Sequence, residues 1–174
     1  MLPILTLLMN PLTWNDLFID ASLLDFNALL AEWPCLENGQ IHPIGASVFG
    51  DLFYERRSGE VMKLDVLEGG VHLIAPSFHQ FGELMNSPEW QEQHLLSQGV
   101  ALLKERRVSR SPSQFYGFAP HPSYVGKIDW SRATPLDAAV WNVICAQTLG
   151  VATPDEPTMP GIPRKRPWWK LGKG

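Results

Sequence analysis

Few residues in this chain have the type and spacing that chemistry requires. Five histidines stand at positions 42, 72, 79, 94 and 121, and two cysteines at 35 and 145. No HExxH run and no paired cysteine ligands accompany them, so zinc chemistry has no sequence signature here. A metal-site reading would have to join His72, His79 and His121, which are scattered. His79 falls on the polar side of a predicted helix and reads as solvated, and His121 lies between Pro120 and Pro122 as a loop contact. Acid pairs are the usual equipment of general acid–base catalysis. Asp51 and Asp65 sit on predicted strands, and Glu89 and Glu92 on one predicted helix face; each pair reads first as a solvated acidic surface. Cys145 lies mid-helix among apolar residues, which favours a core thiol over a nucleophile. "GASVF" at 45–49 is not a G-x-S-x-G nucleophile elbow, and Gly69-Gly70 reads as a hairpin turn, not a phosphate loop. The expectation is a protein that is not an enzyme, with no catalytic residue, metal or cofactor.

The elements that position these residues follow from periodicity. "SLLDFNALLAEW" (22–33) places Phe26, Leu29, Leu30 and Trp33 on one helical stripe, with Ser22 as cap, Asp25 at the capping-box position and Pro34 as stop. "EVMKLDV" (60–66) alternates as a half-buried strand. Turn residues at 56–60 and 68–70 make "VFGDLFY" (48–54) and "VHLIA" (71–75) its antiparallel neighbours. Ser77, with Gln80 three residues on, opens a helix over "FHQFGELMN"; Ser87-Pro88 opens the next, with Leu96, Val100 and Leu103 as its apolar stripe. "QFYGF" (114–118) reads as a strand and "APHPSYVG" (119–126) as a rigid turn. Thr134-Pro135-Leu136-Asp137 reads as a helix start, and "LDAAVWNVICAQTL" (136–149) as a helix apolar nearly all round and therefore buried. The fold expected is α+β: a single compact domain over 10–150, an antiparallel β-sheet flanked by several α-helices. A Pro/Gly-rich basic tail over 151–174 completes the chain.

Length, composition and charge narrow the function. The chain has 174 residues, a 45% apolar fraction and a net charge of −4. The charge is unevenly spread. Residues 11–100 carry thirteen acidic groups against three basic ones, a net of −10, whereas basic residues gather in 104–110 and in "RKRPWWKLGKG" (164–174). An acidic body repels nucleic acid and steers basic partners in. The tail's mix of Trp and cations suits nucleic-acid stacking or an anionic surface. The apolar N-terminus lacks a basic n-region and is too short to span a bilayer, and Met9 offers a second start besides Met1. A reduced cytoplasmic protein is expected.

Three stretches carry a resemblance. They are "TWNDLFIDASLLDFNALLAEWPCL" running into "GQIHPIGASVFGDLFYER", then "LMNSPEWQEQHLL", then "SQFYGFAPHPSYVGKIDWSRATPLDAAVWNVICAQTLG". Over about residues 13–150 they resemble the C-terminal domain of immunity proteins against type VI secreted DNases, the GAD-like immunity family. "GDLFYER", the "YGF" strand and the "WNVICAQ" helix are the most specific marks. Val125-Gly126 stands where the family usually has Gly-Gly, which leaves the turn type there open. The resemblance implies a cytoplasmic antidote in bacterial competition. Its partner is a cognate secreted nuclease toxin, inhibited by stoichiometric occlusion or remodelling of its active or DNA-binding site. It implies no catalytic residues, no direct nucleic-acid contact and no membrane. On that reading the acids on strand edges and loops, Asp51, Glu55, Glu60, Asp65 and Glu68, face the toxin, with Tyr54, Trp90, Tyr124 and Trp130 as aromatic anchors. Two other classes stay open: a metal-dependent hydrolase using scattered Asp and His (Asp51, Asp65, His72, His121), and a nucleic-acid adaptor acting through the basic tail.

Overall fold

In the first half of the molecule, chain order and sheet order coincide. The computed structural model describes residues 11–34 and 39–151; the tail, both candidate start methionines and Cys35 lie outside them. Five strands pair antiparallel in sequence order: β1 (Phe18–Asp20), β2 (Ile41–Ser47), β3 (Leu52–Arg56), β4 (Val61–Leu64) and β5 (Val71–Ala75). The β3–β4 hairpin runs from Leu52↔Leu64 at its open end to Glu55↔Val61 at its turn. Both its strands are buried through their central residues, because helices cover the sheet on two faces.

The period-2 alternation of a strand decides what each face meets. Phe53 turns toward α3 (Phe78–Leu84) and α4 (Pro88–Leu95), with ring centroids 6.0 Å from Phe81 and 6.3 Å from Trp90. Tyr54 turns the other way and shares a small cavity with Leu30 and Trp33, at the end of α2 (Phe26–Ala31). The caps written in the sequence are formed: Ser77 Oγ accepts the Gln80 amide and Ser87 Oγ accepts the Trp90 amide. A short α1 (Trp14–Leu17) leads into β1, and α5 (Ser97–Glu105) follows α4.

A second sheet closes the core. β6 (Gln114–Phe118) and β7 (Ala133–Asp137) pair antiparallel, and the Tyr116 amide donates to the Val48 carbonyl at 2.8 Å, joining them to the meander. Between them lies the single-turn α6 (Pro122–Val125); after them comes α7 (Ala138–Thr148). Trp141 of α7 is fully buried and donates through Nε1 to the Phe49 carbonyl at 2.8 Å. Asn142 accepts from Trp33 Nε1 at 2.9 Å and donates to the Leu29 carbonyl at 2.7 Å, tying α7 to α2. The whole is a single α+β domain with one continuous core. Among the described residues no helix is long and apolar enough to cross a membrane.

Several local expectations are corrected. The helix expected over 22–33 is a 3-10 turn (Ala21–Leu23) followed by α2, capped by Asp25 itself, which accepts the Ala28 amide. Residues 48–51 form the β2–β3 turn and not a strand, because the Ser47 and Asp51 side chains bond that turn closed. The long helix expected after Ser87 breaks at Leu96, which takes a left-handed φ of 52°. That backbone costs a non-glycine residue about 1–2 kcal/mol, and Glu92 offsets it by accepting from the Ser97 hydroxyl and the Gln98 amide at the start of α5. Gly99 stays inside α5 and is required because a Cβ there would overlap the Trp130 ring. The helix start expected at Thr134-Pro135 is strand β7. Pro135 pairs with Tyr116, whose amide is already bonded to Val48, so the missing proline N–H falls on the outer edge. Finally, α7 is not buried all round: Val140 and Ile144 are exposed.

Candidate functional site

The β2–β3 turn and the segment after β4 bring three charged side chains together. Lys63 Nζ lies 3.3 Å from Asp51 Oδ2 and 3.1 Å from Asp65 Oδ2. Lys63 and Asp51 are both more than nine-tenths buried, so the half-exposed alternation read from the sequence does not hold at this end of β4. Every carboxylate oxygen has a partner. Asp51 accepts from the Ser47 hydroxyl and the Val66 amide, and Asp65 Oδ1 accepts from the Leu67 and Glu68 amides. Burial pushes the Asp51 carboxyl up to about 6, with Lys63 pulling it down and Asp65 pushing it further up. For Lys63, burial works against the charge, but the two carboxylates outweigh it and the ammonium is held above its ordinary value. A paired, raised lysine is a poor nucleophile; its role here is to neutralise two buried acids.

Next to the triad, His121 caps α6. Its Nδ1 accepts the Ser123 amide at 3.2 Å, which leaves the proton on Nε2, 3.4 Å from the Val66 carbonyl. The ring lies over Trp141 at 5.5 Å, and burial holds its pKa below the ordinary value. His72 is exposed on β5, opposite Lys63. His79 is solvated and lies 3.8 Å from Glu83. Among the described residues no three His, Cys, Asp or Glu side chains are grouped so as to hold a metal ion. Cys145 is buried, and burial pushes its thiol pKa far up, as a core thiol requires.

The nine residues proposed from the sequence separate into three groups. Asp51, Asp65 and Glu68 lie together at the open end of the β3–β4 hairpin. There they line a cavity of about 310 Å³ whose opposite wall comes from α6 and the residues after it. Tyr124 projects from that same α6 and is 72% exposed, beside Val125 at 49%. Gly126, with φ of 73°, ends the helix in a left-handed conformation that glycine adopts without strain. Glu55 and Glu60 sit at the opposite, turn end of the hairpin, where Glu60 pairs with Arg56 at 3.9 Å.

Asp51, Tyr54, Trp90 and Trp130 are corrections: Asp51, expected on an exposed edge, is 4% exposed and held by Lys63, Ser47 and the Val66 amide. Tyr54 is fully buried and Trp90 nearly so, and neither presents a surface to a partner. Trp90 stands against Phe53, Phe81 and His94, and its Nε1 is a buried donor with no partner among the described residues. Trp130 is half-buried and wedges between Phe49, Phe118 and Gly99. Val125, His94 and Lys63 were not among the candidates. Val125 had a signal, an apolar residue inside a Pro-bounded turn, whereas the inward turn of Lys63 had none. A larger groove of about 590 Å³ lies between β1 and the α5–β6 connection, beside Phe18, Arg110 and Tyr116, and contains none of the nine.

No family model matches the chain, and no curated protein matches it. Among solved structures, the crystal structure of Atu4351 from Agrobacterium tumefaciens is similar, at 18% identity and a TM-score of 0.45, over 70% of this chain. The chain spans 62% of that protein's length. A likeness at that level carries no functional argument, and the α+β architecture rests on this chain's own strand register.

Proposed function

We propose that this protein is an immunity protein: a cytoplasmic, non-enzymatic inhibitor that binds a secreted nuclease toxin, a type VI DNase, one to one. The observation that carries the reading is the exposed Tyr124–Val125 knob on α6, set beside the acid-lined cavity of Asp65 and Glu68. Exposed aromatic and aliphatic side chains next to complementary charge are what protein interfaces use as anchors. A DNase presents a basic DNA-binding surface, so an acidic body with such an anchor associates fast and then holds by a dry contact. The sequence resemblance supports the same reading, and the net of −10 over residues 11–100 supports the choice of a basic partner.

The test mixes the full chain with the nuclease encoded beside its gene. The expected result is a one-to-one complex by size-exclusion chromatography with light scattering, and loss of DNA cleavage at equimolar inhibitor. Absence of both complex and inhibition would sink the reading. DNA binding that disappears on deleting residues 160–174 would favour the adaptor function instead.

A further inference from the structure

The cavity beside the Lys63 triad has a specific lining. Its floor is Lys63 with Asp51 and Asp65, one ammonium against two carboxylates. Its walls are apolar: Leu67, Leu96, Pro122 and Ile128. At its mouth stand Glu68 and Lys127, both exposed. Across all these groups three carboxylates face two ammonium groups, so the lining carries a net negative charge while His94 is neutral.

His94 adds an acceptor. Its ring is half-buried against Trp90, at 4.9 Å between centroids, and makes no hydrogen bond among the described residues. Burial, and after it the Lys63 ammonium, holds its pKa below the ordinary histidine value, so at neutral pH it offers a lone pair and not a charge. Gln93, in the same lining, has an exposed side-chain amide that makes no hydrogen bond among the described residues.

Apolar walls between a net-negative floor, Lys63 with its two carboxylates, and a mouth that carries Glu68 and the neutral His94 suit one shape of ligand, a cation on an aliphatic stem. The stem lies along Leu67, Leu96 and Ile128 while the head reaches Asp65, Glu68 and His94. A guanidinium fits better than an ammonium, because its fork can give one N–H to the lone pair that Asp65 Oδ2 keeps beside Lys63 and others to Glu68, whose carboxylate has no partner among the described residues. From this geometry we propose that the cavity is the receptor for a single arginine side chain of the protein partner, with Asp65 and Glu68 as its carboxylate acceptors. The proposal rests on the inhibitor reading for the identity of the partner, and the Tyr124–Val125 knob on the adjoining α6 would guide the arginine in. Lys63 is a positioning residue: it holds Asp65 in place and keeps the floor from accumulating uncompensated charge.

The experiment titrates Nα-acetyl-arginine amide onto the full-length protein and follows the His94 imidazole signals by NMR. Nα-acetyl-norleucine amide serves as the uncharged stem and agmatine as a free guanidinium compound. The expected result is a saturable shift with arginine amide, with a Kd of about millimolar as befits one side chain, and none with norleucine amide. Asp65→Asn should weaken it tenfold or more. Glu68→Gln, an exposed change that leaves the triad intact, should weaken it severalfold and keeps the test valid if Asp65→Asn fails to fold. No saturable shift, or equal binding of norleucine amide, overturns the proposal. So does agmatine binding tenfold tighter than arginine amide, which would make the ligand a small molecule. A nuclease complex formed without arginine-amide binding overturns the cavity proposal alone. Arginine-amide binding with no nuclease complex overturns the inhibitor reading and leaves the site's selectivity for guanidinium standing.

Discussion

The two ends of the β3–β4 hairpin carry acids of similar type with opposite fates. At the turn end, Glu55 and Glu60 stay partly in water, and Glu60 meets Arg56 at a loose 3.9 Å. At the open end, Asp51 and Asp65 are drawn inward around Lys63, with Ser47 and three backbone amides completing their hydrogen bonds. The turn end is bounded by a short loop, and there Glu55 and Glu60 are only half-buried. The open end is covered by α4 on one side and α6 on the other, which excludes water and leaves a cavity. Charge at the first end is surface solvation; charge at the second is structure beneath a cavity.

The comparison can be broken most directly at Lys63. Lys63→Met removes the ammonium and leaves two buried carboxylates facing each other, and the expected loss is about 3–5 kcal/mol of unfolding free energy in urea. A loss below about 1 kcal/mol would mean the triad behaves like the turn end. Next is Asp51. The folded chain binds its proton more tightly than the unfolded one, so its contribution is fully present below pH 3.8 and is lost as pH rises through about 6. Wild-type stability relative to Asp51→Asn should therefore fall between pH 4 and 6.5, by on the order of 2 kcal/mol. A relative stability that rises over that window contradicts the assignment. Third, Tyr124→Ala should leave stability within about 0.5 kcal/mol, because the ring is solvated, yet weaken the nuclease complex at least roughly tenfold in a competition assay. Unchanged affinity would move the interface off α6. Smallest is Glu60→Gln, expected to change stability by less than about 0.5 kcal/mol and to leave binding unaltered. A large effect there would return the turn end to the candidate surface.

The sequence displayed the fold better than it displayed the site, for physical reasons that differ by element. The β3–β5 part of the meander was legible because strand alternation and turn residues are local signals, and so were the Ser77 and Ser87 caps; β1, three residues long, was not read as a strand. β7 was not, because Thr-Pro-x-Asp has the same composition as a helix start, and only pairing with β6 decides against it. The break at Leu96 was hidden because its compensation comes from Glu92, a side chain that reads as ordinary helix surface. At the candidate site, residue type put Asp51, Asp65 and Glu68 on one list but did not reveal that Asp51 is buried, whereas the exposure of Tyr124 fits its place in a Pro-bounded turn. Tyr54 and Trp90 were misplaced because facing is set by what packs above the sheet, and in this chain helices cover both faces. Lys63 escaped notice because an alternating strand places lysine outward by default; here a buried acid on either side turns that default around.

The bridge from Trp33 through Asn142 to the Leu29 carbonyl, with |i−j| of 109 and 113, has a consequence for how the chain is made. During synthesis the meander emerges first, yet its core is filled by Phe115, Phe118 and Trp141, which leave the ribosome later. The early half must wait with Phe49 and its neighbours uncovered until α7 arrives. Contacts of such long sequence separation slow folding and prolong the exposure of apolar surface. A chain interrupted before residue 138 would therefore be a target for chaperones and proteases.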